Sequence, residues 1–248
     1  DTVILCMGLD EIAESEGLDR SNLRLAQNQV DLLQAVAAVN PKIVVVLYSG
    51  SVVETPWLDN CQALLYAALG GQAGAGAVAD ALTGKVNPCG KLAETWPLAY
   101  ADVPSAADFA TRRKTVEYRE GLYIGYRYYE TRYADCVMDK GGASSPVGAL
   151  AGASAWNYAD EVQYPFGYGL SYTTFQQKLD SVKVEDDQIT ATVTVTNTGD
   201  VAGKSVVQLY AQTPYGAYET EHKVEKSAIA IVGYGKTGLL APGASETV

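Results

Sequence analysis

Two runs of apolar residues constrain the fold of this chain most strongly. The first, TVILCM, covers residues 2–7, and the second, KIVVVLYSG, covers residues 42–50. Continuous apolar runs rich in β-branched residues are typical of strands buried on both faces of a parallel sheet. Between them, residues 22–40 repeat their apolar positions at helical spacing. This alternation predicts an α/β domain with a mainly parallel sheet, whose functional loops follow the carboxyl ends of the strands.

Shorter apolar segments extend this pattern. DNCQALLYAAL at residues 59–69 and GAGAVADALTG at residues 74–84 predict two further helices, the second ending at a glycine. Cys6 lies inside the first apolar run, so we expect a buried free thiol. GAGAVA also matches G-x-G-x-x-A, but it follows a predicted helix, whereas a dinucleotide site requires a preceding strand.

The last part of the chain changes character. GGASSPVGALAGASA at residues 141–155 predicts a flexible insertion. From residue 188, apolar residues alternate with threonines, which predicts an antiparallel hairpin with its turn at NTGD, residues 197–200. We therefore expect an α/β domain over residues 1–175 and a truncated all-β sandwich over residues 176–248. The chain begins with Asp1 rather than Met, which suggests a piece of a longer protein.

Composition argues against several classes of function. The net charge is −11, so we expect neither nucleic acid nor an anionic membrane as a partner. No apolar run approaches the length of a membrane span, and the lack of a targeting signal leaves the cellular location open. The four cysteines lack C-x-x-C spacing, and His222 is the single histidine. We therefore predict no metal site, no cofactor and no Ser-His-Asp triad.

An acidic loop follows the first predicted strand. It contains five carboxylates and then an arginine: Asp10, Glu11, Glu14, Glu16, Asp19 and Arg20. A loop glutamate beside a sugar can act as a general acid if its surroundings raise its pKa. A solvated acidic loop without catalytic function is the other interpretation. We expect Asp19 and Arg20 to pair with each other or to brace the loop backbone.

The loop sequence AESEGLDRSNLRLAQNQ resembles the E-x-E-G-x-D-R-x-x-L-x-L-P-x-x-Q element of glycoside hydrolase family 3, in its bacterial β-glucosidase branch. Further landmarks follow in the family's order: VVVLYSGSVVETPW, LGGQAGAGAVADALTGKVNPCGKLAETWP, VEYREGLYIGYRYYE and YPFGYGLSYTTF. VTVTNTGDVAGKSVVQLYAQ resembles the fibronectin type III-like domain of the same family. The chain departs from the family at LAQNQ, where Leu-Pro-Gly-x-Gln is usual, and at Cys89, where serine is commoner.

The resemblance implies a retaining glycosidase with an aspartate nucleophile on a (β/α)8 barrel and a glutamate acid/base on an α/β sandwich domain. This chain corresponds to the sandwich domain, incomplete at its start, and to the domain after it. Glu16 matches the acid/base of many bacterial members, and Glu14 is the alternative.

The implied substrates are β-linked gluco-oligosaccharides and aryl or alkyl β-glucosides, with the barrel as the partner domain. The resemblance leaves two alternatives open. One is a β-xylosidase or α-arabinofuranosidase of the same family, and the other is a non-catalytic carbohydrate-binding or interaction module. The chain alone is expected to be inactive, because half of the catalytic pair is missing.

Overall fold

The computed structural model describes residues 1–109, 114–116, 118, 120–138 and 156–248, which have a mixed α/β fold. The predicted insertion at residues 141–155 lies outside them. The chain divides into two compact units, and the predicted boundary after residue 175 stays a prediction. The first unit comprises residues 1–79, 96–121 and 157–164, and the second comprises residues 80–95, 122–156 and 165–248.

The described part of the chain contains both helices and strands. None of these helices is long and apolar enough to cross a membrane. In chain order the elements are β1 (Val3–Gly8), α1 (Gln27–Ala37), β2 (Ile43–Tyr48), β3 (Ala63–Tyr66), α2 (Gly74–Leu82), β4 (Trp96–Pro97), α3 (Tyr126–Cys136), α4 (Tyr158–Glu161), β5 (Val162–Tyr164), β6 (Phe175–Glu185), β7 (Gln188–Asn197), β8 (Val206–Ala211), α5 (Ala217–His222), β9 (Ala230–Lys236) and β10 (Ser245–Thr247).

A parallel sheet forms the centre of the first unit, as predicted. Its strand order is β1-β2-β3, and Val3 of β1 lies opposite Ile43 of β2. The central strand β2 is the most buried, with Ile43, Val45, Val46 and Leu47 inaccessible to solvent. Its apolar residues form the core under the loops at the carboxyl end of the sheet.

The edge strand β1 is less buried than predicted. Cys6 is an exposed free thiol, and Ile4 is 50% exposed. The expectation of a strand buried on both faces, with a buried thiol, is therefore wrong. Within the described part of the chain β1 pairs only with β2, and the face that carries Ile4 and Cys6 is open to solvent.

The segment predicted as a second helix is instead a strand. Residues 63–66 form β3, which pairs in parallel with β2 from Val44 to Leu47. The periodicity of a short apolar run fits a helix and a buried strand equally well. Here the segment forms a strand because it pairs with the free edge of β2. GAGAVA therefore follows a strand, but Gly74 and Gly76 lie inside α2 rather than in a strand-to-helix turn. The predicted helix at residues 74–84 is confirmed.

The second unit contains antiparallel strands, but their pairing differs from the prediction. β7 pairs with β6 and β10, while β8 pairs with β9, so NTGD does not join a hairpin. The tight turn lies at Asp186 and Asp187, whose φ angles of 48° and 64° suit a two-residue type I′ turn. The predicted alternating strand is present as β7, but the turn at the two adjacent aspartates pairs it with β6. Val193, Val195 and Leu240 form the core of these strands, together with Phe175 and Val207.

Candidate functional site

Two loops meet at the carboxyl end of the parallel sheet. Gly8 and Tyr48 end β1 and β2 in matching register, and the Leu9 N–H donates to the Tyr48 carbonyl at 3.0 Å. The acidic loop leaves from Gly8, and residues 49–52 leave from Tyr48. The parallel arrangement therefore places the acidic loop beside the loop that follows the central strand.

Gln29 of α1 fixes the point where the acidic loop begins. Its Oε1 accepts the Gly8 N–H at 2.9 Å, and its Nε2 donates to the Gly8 carbonyl at 2.8 Å. A Cβ atom at Gly8 would lie 2.2 Å from the Tyr48 carbonyl oxygen, so only glycine fits there. The glutamine that ends the family-like motif thus holds the end of β1 through both backbone groups of one residue.

We expect Gln29→Leu to lower the free energy of unfolding by about 1–3 kcal/mol, because it leaves the half-buried N–H and carbonyl of Gly8 without their partner. Gln27→Leu is the matched control, since the Gln27 side chain only bonds Asp31 at an exposed position. Urea unfolding curves of both variants measure the difference. Equal midpoints for the two variants would contradict the anchoring role.

Asp10 shapes the first part of the acidic loop. Its Oδ1 accepts the backbone N–H groups of Ile12 at 3.1 Å and Ala13 at 2.9 Å, and its carbonyl accepts the Glu14 N–H at 2.9 Å. An aspartate that caps its own following turn is a common loop device. Part of the loop's negative charge therefore has a structural use.

Glu14 is bound to the neighbouring loop. It is half-buried, and the Gly50 N–H donates to its two carboxylate oxygens at 2.9 and 3.0 Å. The Ser51 hydroxyl lies 3.4 Å from Glu14 Oε1. Both oxygens of Glu14 thus serve as hydrogen-bond acceptors within the protein.

Glu16 occupies the tip of the loop. The Leu18 N–H donates to the Ser15 carbonyl at 3.2 Å, which closes a turn with Glu16 and Gly17 in its centre. Gly17 has a φ of 79°, the positive value that a type II turn requires at its third position. Glu16 is exposed, and among the described residues its carboxylate has no hydrogen-bond or ion-pair partner. The structure therefore separates the two candidate glutamates into one bound and one open carboxylate.

Arg20 braces the far end of the loop, whereas Asp19 is exposed. Arg20 Nη1 donates to the Ser51 hydroxyl and to the Val52 carbonyl, both at 2.9 Å. Burial lowers the pKa of Arg20, and the nearby carboxylates of Glu14 and Glu54 partly offset this effect. Within the described residues, Asp19 makes no ion pair with Arg20.

Glu54 is a structural carboxylate that was not among the predicted site residues. It is only 7% exposed, and its Oε2 lies 3.3 Å from Arg24 Nε. Its Oε1 accepts the Tyr100 N–H at 2.7 Å, and its own N–H donates to the Leu23 carbonyl at 2.7 Å. The available signal was a lone acidic residue at the end of the apolar run VVET, where a buried charge needs a partner.

The site offers an open carboxyl group on a braced loop. Such a group can donate a proton to a leaving group or accept one from water. In the described part of the chain, no group of three or more histidine, cysteine, aspartate or glutamate side chains could hold a metal ion. Among Glu14 and Glu16, only Glu16 presents a carboxylate that no described residue binds.

Comparisons with known proteins show what the chain is similar to. Residues 1–126 match the glycosyl hydrolase family 3 C-terminal domain. The chain is 39% identical to thermostable β-glucosidase B from Acetivibrio thermocellus. The match covers the whole chain and 29% of that protein. It is also 41% identical to an exo-α-(1→6)-L-arabinopyranosidase from Bifidobacterium longum. This match covers 85% of the chain and 25% of that protein.

A solved structure extends the similarity to the fold. The whole chain superimposes on 26% of the Kluyveromyces marxianus β-glucosidase, solved in complex with glucose, with a TM-score of 0.82 and 37% identity. The chain thus spans between a quarter and a third of the length of each of these proteins.

Proposed function

The chain belongs to glycosyl hydrolase family 3, and we propose that it supplies the general acid/base of a retaining, exo-acting β-glucosidase. The observation that carries this proposal is the open carboxylate of Glu16 at the tip of a loop with two braced ends. The substrates are β-linked gluco-oligosaccharides and aryl or alkyl β-glucosides, from which the enzyme removes a terminal glucosyl residue.

The proposed reaction needs a second carboxyl group. In retaining glycosidases the two carboxyl groups lie about 5–5.5 Å apart on either side of the scissile bond. The family resemblance assigns the nucleophile to an aspartate on a (β/α)8 barrel elsewhere in the parent protein. Glu16 first protonates the oxygen of the departing group. It then removes a proton from the water that releases the sugar from the aspartate.

Glu16 suits this role better than Glu14. A proton donor must reach the leaving oxygen of a bound substrate, and an exposed carboxylate on a turn is free to do so. Glu14 points to the neighbouring loop, where the Gly50 N–H bonds both of its oxygens. A carboxylate that is held in this way is directed at the neighbouring loop, which makes it less free to reach a substrate.

The antiparallel strands of the second unit have a proposed place in the family. We assign β6–β10 to the fibronectin type III-like domain that the sequence resembles. The support is a core shared by both antiparallel pairs, since Phe175 of β6 and Val207 of β8 pack against one buried cluster. That cluster consists of Val193, Val195 and Leu240. We propose that this domain stabilises the catalytic part rather than binding sugar.

A second candidate function is the release of a terminal pentosyl residue. It is favoured by the similarity to an exo-α-(1→6)-L-arabinopyranosidase, which is as close in identity as the β-glucosidase. A non-catalytic carbohydrate-binding role is the remaining alternative, and it predicts binding without turnover.

The test is a panel of 4-nitrophenyl glycosides assayed with the parent protein. We expect kcat/KM for the β-glucoside to exceed the values for the β-xyloside and the α-L-arabinopyranoside by at least about tenfold. The 248-residue chain alone should release no nitrophenol above buffer. A pentoside preference would favour the second candidate, while efficient turnover by the chain alone would refute the missing-nucleophile account.

A further inference from the structure

Both ends of the turn that carries Glu16 are attached to one short segment, residues 49–52, after β2. On the near side, the Gly50 N–H bonds both oxygens of Glu14 at 2.9 and 3.0 Å. On the far side, Arg20 Nη1 donates to the Ser51 hydroxyl and to the Val52 carbonyl, both at 2.9 Å. Ser51 lies between the two attachments, since its hydroxyl is also 3.4 Å from Glu14 Oε1.

The 49–52 segment is itself held in place. The Ser49 side chain is fully buried, and its hydroxyl donates to the Ser51 carbonyl at 2.8 Å. The Tyr66 hydroxyl of β3 donates to the Ser49 carbonyl at 2.9 Å. Tyr66 also packs edge-on against the buried Trp96, with ring centroids 5.0 Å apart. The attachment points of the acidic loop are therefore connected to the core of the first unit.

We propose that Glu14 is a positioning residue that holds Glu16 in the position and orientation needed for proton transfer. This inference rests on the proposed function, because it assigns the proton transfer to Glu16. The hydrogen bonds that Glu14 accepts have a carboxylate as the acceptor, and such bonds are stronger than bonds between neutral groups. Together with the Arg20 contacts, they fix the chain on both sides of residues 15–19, which include the turn that carries Glu16.

The expected effect of Glu14→Gln follows from these contacts. The amide keeps one acceptor oxygen, but it loses the negative charge and presents an NH₂ group to one side of the Gly50 N–H. A displacement of about 1 Å at a catalytic group can cost about 10²-fold in rate. We expect kcat for an aryl β-glucoside with a poor leaving group to fall about 10–100-fold, with KM nearly unchanged.

A double-mutant cycle in the full-length parent tests the inference. Glu14→Gln, Glu16→Gln and the double variant are compared on the poor-leaving-group substrate. If Glu14 acts only through Glu16, adding Glu14→Gln to Glu16→Gln changes the rate by less than about twofold. A merely structural role of Glu14 would lower the rate in both backgrounds. Glu11→Gln, an exposed charge in the same loop, is the matched control and should retain the parent's rate.

Each outcome of the cycle bears on a different statement. Independent, multiplying losses would overturn the positioning role but leave Glu16 as the proton donor. If Glu16→Gln leaves the rate unchanged while Glu14→Gln abolishes activity, the proposed assignment of the proton donor is overturned as well. If Glu14→Gln does not fold, Ser51→Ala replaces it in the cycle. That variant removes the hydroxyl between the two attachments, and we expect a smaller loss that again disappears in the Glu16→Gln background.

Discussion

Glu16→Gln in the full-length parent is expected to lower kcat/KM for cellobiose by about 10²–10⁴-fold, the range that general acid–base catalysis contributes. The departing glucose of cellobiose is a poor leaving group, so its oxygen needs a proton as the bond breaks. Glutamine keeps the size of the side chain and can still bond the substrate, but it cannot donate and recover a proton in this way. KM should change less than kcat, because the lost interaction belongs to the transition state.

The matched control for this loss is Glu11→Gln. Glu11 is an exposed carboxylate of the same loop, and its neutralisation changes the local charge by the same amount. It should retain the activity of the parent within about twofold. Comparable losses for the two variants would show that the loop acts through its total charge, which would contradict a specific role of Glu16.

Asn197→Ala is expected to produce the largest loss of stability. Asn197 is fully buried at the end of β7, and its Oδ1 accepts the Thr173 hydroxyl at 2.7 Å and the Gly199 N–H at 3.1 Å. Its Nδ2 donates to the carbonyls of Val201 and Leu240, both at 2.9 Å. Alanine leaves three of these groups without a partner, whereas the Leu240 carbonyl still accepts the Gly203 N–H at 3.0 Å. We expect a loss of about 3 kcal/mol in the free energy of unfolding.

Calorimetry of the parent measures this loss as a shift in Tm of about 5–10 °C for the unfolding of this part of the protein. Thr198→Ala is the matched control, since the neighbouring Thr198 hydroxyl is exposed and bonds only the Thr174 hydroxyl at 2.9 Å. That variant should unfold within about 2 °C of the parent. An Asn197→Ala protein as stable as the control would contradict the buried network.

The sequence predicted the architecture correctly where the pattern of apolar residues fitted only one kind of secondary structure. The β-branched runs around residues 3–7 and 43–47 and the helical spacing between them fit a parallel sheet, and the sheet is present. The segment at 59–69 was predicted wrongly because its apolar residues suit a helix as well as a strand. Its pairing with β2 depends on a neighbour distant in sequence, which local propensity does not include. The error at NTGD has a different origin, since the local turn at Asp186 and Asp187 pairs β7 with β6 and was not used in the prediction.

The candidate site was predictable only in part. The sequence and the family resemblance proposed Glu14, Glu16, Asp19 and Arg20 as candidates. Residues two apart on a loop can face any direction, however, so the sequence did not give their orientation. The roles of Gly50 and Ser51 in holding Glu14 follow only from the parallel register of β1 and β2. The structural role of the buried Glu54 was equally hard to predict from the sequence, because its partners Leu23 and Tyr100 come from distant segments.

The central claim, that Glu16 donates the proton, is tested most directly by two aryl β-glucosides that differ in the acidity of the leaving phenol. The parent and its Glu16→Ala variant are compared on both, with the initial burst of phenol reporting the glycosylation step. We expect glycosylation to collapse on the substrate with the poor leaving group and largely to survive on the substrate with the good one, which needs no proton. Nearly normal cleavage of both substrates would contradict the claim and make Glu14 the residue to examine.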